Sequence, residues 1–205
     1  LLLQDNKVKK IIINSNENEI VGLLNFIKAY KVNIPVLYLK NSISKGKIVY
    51  DLVLNFKNNK LNQVKISGKI KNAEVKILGN NKLENTNLDF VYTNGNLDIL
   101  DLNFKLKNTK FNSKKISITD QDKSIELIGS FKNNLNLNLL LNLLENDYKN
   151  YFNDDVLLIA NSNFNVLLNK KYKVQNYILK SNINFDDLKI NIKNEKLKKI
   201  IPDFE

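Results

Sequence analysis

The chain has no Cys, His, Met or Trp, and all 32 of its basic residues are Lys, with no Arg. Without Cys and His there is no thiolate or imidazole to hold a transition metal, no cysteine nucleophile and no imidazole base for a serine triad. Without Arg the planar fork that reads base edges is missing, so sequence-specific nucleic-acid binding is not expected. With only 2 Pro and 6 Gly, nothing marks a linker between domains. No stretch approaches the roughly 18 consecutive apolar residues of a membrane-spanning helix. The opening Leu1-Leu2-Leu3-Gln4 is not a signal peptide, so any anchor is expected outside this segment. The missing disulfides leave cytosol and periplasm equally open.

What is present is ordinary in bulk. The 205 residues are 43% hydrophobic and 26% charged, enough for one large core or one large sheet. Lys outnumbers the 21 acidic residues and gives +11. The simplest reading of that charge is a solvated outer face; attraction to anionic headgroups or another polyanion is the alternative. Asn occurs 38 times, and its company of Lys, Ile and Leu resembles the product of an AT-rich genome.

The dominant pattern is alternation with period two, which puts every second side chain on one face of a strand. Between Gly46 and Phe56, the residues Ile48, Tyr50, Leu52, Leu54 and Phe56 fall on one face. Val64, Ile66, Gly68 and Ile70 repeat it with Lys opposite, and a phase slip at Asn72-Ala73 predicts a bulge. Thr93-Asn94-Gly95-Asn96 predicts a type I′ hairpin turn, placing Tyr92 opposite Leu97 and Phe90 opposite Ile99. Past Leu100 the phase shifts again, to Leu102, Phe104 and Leu106. Ile116 and Ile118, a polar turn at 120–123, and Ile125 and Leu127 predict another strand pair. Further strands are expected through Phe164, Val166 and Leu168, through Tyr177, Leu179, Ile183 and Phe185, and through Leu188, Ile190 and Ile192.

Two segments read as helix. Asn16 and Glu19 resemble a capping box before Ile20, Leu23, Leu24 and Ile27, which predicts an amphipathic helix over 17–30. The next is ambiguous: Leu135, Leu137 and Leu139 alternate as in a strand, whereas Leu140, Leu143, Leu144, Tyr148 and Tyr151 sit at spacings of three and four and favour a second helix over about 137–151. The expected organisation is an N-terminal helix and lead-in over 1–45, then a β segment over 46–205 interrupted by that second helix.

Two short helices cannot cover the apolar side of so many strands, whose residues are each worth ~1.5 to 3 kcal/mol when buried. The sheet must fold on itself as a sandwich, close as a barrel, or curl into a groove that lipid fills. Composition alone favours the sandwich. A membrane barrel needs aromatic girdles and an apolar exterior, whereas the outer faces here carry Lys and Asn. The carboxylate pairs Asp120 with Asp122, Asp154 with Asp155, and Asp186 with Asp187 read as solvated turns. No phosphate-cradling Gly loop and no Gly-bearing Ca²⁺ loop accompanies them. No cofactor, no metal and no enzymatic activity is expected.

The order of elements resembles the AsmA-like family, in particular its YhdP branch, relatives of TamB within the bridge-like lipid-transfer superfamily. The resemblance spans roughly residues 17–193. It rests on the helix from Glu17 to Tyr30, the segment Ile34, Pro35, Leu37 and Leu39, and the strand opening Ser44-Lys45-Gly46-Lys47-Ile48. It continues through the phrase Val64 to Ala73, Leu83 to Phe90, Ser113 to Ile118, Ile128-Gly129-Ser130-Phe131 and the leucine-rich segment after them. It implies a mainly β fold: a long, twisted antiparallel sheet curled like a taco into an open apolar groove, with one or two short amphipathic helices. It also implies a periplasmic conduit, anchored in the inner membrane, that carries phospholipid toward the outer membrane. Partners would be acyl chains, the inner membrane and outer-membrane components, and not nucleic acid. The residues expected to line the groove are Ile48, Tyr50, Leu52, Leu54, Phe56, Val64, Ile66, Ile70, Phe90, Tyr92, Leu102, Phe104 and Leu106. The alternative is a closed β-sandwich envelope module that binds glycans or other polyanions through its Lys-rich face.

Overall fold

A computed structural model of the chain describes residues 2–4, 7–30, 40–58, 60–77, 81–107, 109–136 and 157–184. Strands β1 (Leu2–Gln4), β2 (Lys7–Asn14) and β3 (Asn18–Glu19) precede the helix α1 (Ile20–Tyr30). Then come β4 (Ile43–Lys57), β5 (Lys60–Lys76), β6 (Lys82–Thr93) and β7 (Asn96–Leu106). The series continues with β8 (Thr109–Asp120), β9 (Ser124–Asn136), β10 (Leu157–Asn169) and β11 (Val174–Asn184). All belong to one antiparallel sheet in the order β1-β2-β4-β5-β6-β7-β8-β9-β10-β11, with β3 paired to β4 beside that path. From β4 onward each strand pairs with the next in sequence, so the sheet is a meander.

The sheet is open. β1 and β11 end the path without meeting, and no second sheet faces it among the described residues. The fold is therefore the long curled groove and not the sandwich that composition favoured. Nine steps along the path, at ~4.8 Å each, give about 43 Å from edge to edge. The expected helix over 137–151 and the expected strand through Leu188, Ile190 and Ile192 lie outside the described residues.

Local chemistry explains the register. At the β6–β7 turn Asn94 and Gly95 have φ of 47° and 97°, the left-handed pair that a type I′ turn needs. The turn sets Tyr92 against Leu97 and Phe90 against Ile99. The phase slips are bulges: Asn72, Asn85 and Asp101 have φ of 50°, 50° and 48°. Asn and Asp tolerate that region because their short side chains bond nearby backbone. Here the Asn72 backbone N–H donates to Asn87 Oδ1 at 2.9 Å, and Asn87 Nδ2 donates to the Asn85 carbonyl at 2.7 Å. Ile70 and Ala73, three residues apart, both face the apolar side, as do Ile99 and Leu102. The extra residue in each case lengthens the outer face and bends the strands toward the apolar one. Part of the Asn content is thus in structural use.

The helix closes over one end of that apolar face. Ile20 and Leu24 bury against Ile48 and Ala73, with Leu23, Ile43, Tyr50, Ile70 and Phe90 around them. It starts at Ile20, later than the expected 17, because Asn18 and Glu19 pair with Ile48 and Lys47 as a short strand. Nor does the expected capping box account for the acidic residues at its start. The Glu17 carboxylate accepts from Lys47 Nζ at 2.9 Å and Lys71 Nζ at 3.2 Å, tying the lead-in to β4 and β5.

The bond from Lys47, and then that from Lys71, hold the Glu17 carboxyl below its ordinary value of 4.5. A lowered carboxyl stabilises the fold fully above the unfolded value and loses that contribution as pH falls through the folded one. An NMR titration of Glu17 should give a midpoint under 4.5, and Glu17→Gln should remove a small acid-side dependence of thermal unfolding. A midpoint at or above the ordinary value would overturn the assignment.

Candidate functional site

Residues directly opposite each other in neighbouring strands share a face, so the register decides what each face contains. One row begins at Ile13 of β2, which pairs with Leu52; Leu52 pairs with Ile66, Ile66 with Tyr92, and Tyr92 with Leu97. Leu97 then pairs with Ile118, Ile118 with Leu127, Leu127 with Val166, and Val166 with Tyr177. Nine strands are crossed without one charged or amide side chain, over about 38 Å.

The adjacent row runs Tyr50, Gly68, Phe90, Ile99, Ile116, Gly129, Phe164 and Leu179. Toward the other side of the face lies an aromatic stripe. Phe104 stacks on Phe111 at 5.0 Å, Phe131 stacks on Phe164 at 5.2 Å, and Phe131 meets Phe104 and Phe111 edge-on at 6.0 and 6.3 Å. These separations and angles are the favoured ones for rings.

The lining is not covered as a closed core would be. Leu52, Ile66, Tyr92, Leu97, Ile118, Leu127 and Val166 are half-buried. At the ends of the row Ile13 is 46% and Tyr177 71% exposed. β11 adds Leu179 and Ile183 to the same exposed margin.

The outer face is mainly polar and partly ion-paired, with Ile12, Ile128, Ile159 and Ile178 exposed among its polar residues. Lys69 meets Asp89 at 2.9 Å and Lys115 meets Asp98 at 3.0 Å. Asn14 Nδ2 donates to Asp51 Oδ1 at 2.7 Å, and Ser117 Oγ donates to Asp98 at 2.6 Å. The Ser117 hydroxyl, followed by Lys115, holds the Asp98 carboxyl below the ordinary carboxylate range. An apolar face backed by a mainly polar one is the division of labour expected of a single sheet with water on one side.

The structure brings most of the expected lining together. Leu52, Ile66 and Tyr92 are in the long row, and Tyr50 and Phe90 in the next. Leu54 and Val64 pair beside them with Ile11 across from Leu54. Phe56 lies beyond a register shift and faces Leu61; Leu106 faces Thr109 at the opposite end. Phe104 belongs to the aromatic stripe. Ile48 is corrected: at 6% exposure beneath Ile20 and Leu24 it belongs to the helix–sheet core, with Ile70 packed at its margin. Leu102, 9% exposed and opposite Ser113, is also withdrawn from the open surface.

The expected list omitted Ile13, Leu97, Ile118, Leu127, Val166, Tyr177, Phe111, Phe131 and Phe164. The Asn94-Gly95 turn already set Leu97 opposite Tyr92; carrying that register one strand further reaches Ile118.

Among the described residues no group of three metal-ligating side chains converges. Asp120 pairs with Lys170 at the β8–β9 turn; the pairs Asp154 with Asp155 and Asp186 with Asp187 lie outside the described residues. No described helix is long and apolar enough to cross a membrane. No family model matches the chain, and neither a curated protein nor a solved structure shows significant similarity to it.

Proposed function

We propose that this chain is a segment of a bridge-like lipid conduit that shields phospholipid acyl chains in its groove while they pass between two membranes. The observation that carries the reading is the row from Ile13 to Tyr177, apolar on nine strands and left half-open. Each acyl methylene exposed to water costs ~0.8 kcal/mol, so a continuous aliphatic wall lowers the cost of leaving a bilayer. It also flattens the path: without a polar gap in the row, no position along it is favoured enough to trap a chain. A conduit of this kind needs binding without chemistry. The likeness to AsmA-like proteins adds the setting, a periplasmic span with an inner-membrane anchor outside this segment.

The test is native mass spectrometry, with lipid extraction, on protein made in a periplasm and purified without detergent. Phospholipid should co-purify, and a hydrophobic dye should fluoresce strongly on protein stripped of lipid. A lipid-free mass together with no dye uptake would overturn the reading.

A further inference from the structure

The outer face carries a feature that acyl-chain binding does not use. A trough of about 440 Å³ crosses β7 to β10 and takes three consecutive residues from each strand, 101–103, 112–114, 130–132 and 161–163. The middle residue of each triplet belongs to the groove face. Leu102 pairs with Ser113, and Phe131 turns to its stack on Phe164. The floor of the trough is therefore backbone, and its walls are the flanking polar side chains.

One wall is a ladder. Asn103 stands opposite Asn112, Asn112 opposite Lys132, and Lys132 opposite Asn161. Asn87 on β6 extends it by donating Nδ2 to Asn103 Oδ1 at 3.2 Å, and Asn182 on β11 continues it beyond Asn161. Amide and ammonium groups thus recur at steps of ~4.8 Å. The charged groups of the lining are two lysines, Lys114 and Lys132, against one carboxylate, Asp101. Lys69 and Lys115 have carboxylate partners, whereas Lys114 and Lys132 pair with none among the described residues. Just beyond the ladder, Lys105 stands between Lys110 on β8 and Glu84 on β6.

We propose that this trough binds a strand of an acidic, hydroxyl-rich polysaccharide laid across β6 to β11. Asn87 and Asn103 are engaged with each other and with the Asn85 and Asp101 carbonyls, but the amides of Asn112, Asn161 and Asn182 each offer a donor and an acceptor side by side, which suits neighbouring sugar hydroxyls. Lys114 and Lys132 supply ammonium groups for carboxylates, as charge-assisted bonds. Single-stranded nucleic acid fits less well, because no ring turns into the trough to stack a base. A bilayer surface fits less well again, because the site is concave and offers no apolar side chain for insertion.

The probe is a fluorescent oligogalacturonate about ten sugars long, titrated against the full chain by anisotropy in dilute salt. Saturable binding is expected. Lys114→Gln with Lys132→Gln, and separately Asn112→Ala with Asn161→Ala, should each weaken it about tenfold. Lys60→Gln with Lys65→Gln removes the same charge elsewhere and should change it less than twofold. Zero-length carbodiimide coupling of the bound sugar to unaltered protein should mark Lys114 and Lys132 ahead of Lys60 and Lys65, a readout that needs no variant. Absence of binding, equal weakening by the control pair, or coupling spread evenly over the lysines would overturn the site. Equal affinity for inorganic polyphosphate or an oligothymidylate would overturn the ligand class. None of these changes touches the groove lining, so co-purifying lipid should persist in every variant.

Discussion

Gly68→Val should lower the thermal midpoint by about 6 to 12 °C, the equivalent of about 3 kcal/mol in a chain of this size. Gly68 sits in the middle of β5 with Tyr50 opposite on one side and Phe90 on the other. A Cβ built there would lie 2.2 Å from the Val49 carbonyl oxygen and 3.0 Å from both Phe90 Cζ and Tyr50 Cα. Phe90 can swing away, but the Val49 oxygen is backbone, fixed in the β4–β5 ladder that pairs residues 43–57 with 60–75. Relief therefore requires the two strands to part at the centre of the sheet. Gly68→Ala should show a smaller drop in the same direction, since it adds the clashing atom without the branches. Unchanged midpoints for both would mean that the strands do not approach this closely. Far-UV circular dichroism and a melt decide it.

Leu52→Asp should strip co-purifying phospholipid by tenfold or more while leaving the strand signal intact. Leu52 lies between Ile13 and Ile66 and is half-buried, with its outer side toward the groove. An aspartate there keeps its water when the groove is empty. Against an acyl chain it must give that water up, at several kcal/mol, and a tenfold loss needs only about 1.4 kcal/mol. Ile48→Asp is the contrasting change. Its site is closed by Ile20 and Leu24, so the charge should dislodge α1 and lower the melting point whether or not lipid is present. If Leu52→Asp instead abolished the strand signal, Leu52 would be dry core and the groove reading would fail there.

The parts of this architecture that were legible in the sequence are those encoded within a few residues. Asn94-Gly95 announces its turn because few residue pairs supply two positive φ values. The bulges at Asn72 and Asp101 were visible as slips in a period of two. β2 was not legible: Ile11, Ile12 and Ile13 are consecutive, so alternation is silent. Only pairing with β4 sends Ile11 and Ile13 to the groove and Ile12 outward. The start of α1 was misplaced because Asn16 and Glu19 look like a capping box, whereas Glu19 pairs with Lys47 in a short strand and Glu17 is claimed by two lysines of the sheet. Ile48 and Leu52 are equivalent in pattern and differ only in where the helix lands. The Asn ladder was hidden most deeply. Its members lie on six strands, each an unremarkable polar residue until the register aligns them.

The meander also makes the length of this groove a counting variable. Each strand from β5 onward pairs only with its neighbours in sequence, so a hairpin inserted or removed there would leave the cross-section unchanged. It would alter the span by about 10 Å, two strand spacings. Such a scaffold behaves as a ruler with a fixed graduation. Gene segments encoding a single hairpin could fit it to gaps of different width, with no redesign of the apolar wall.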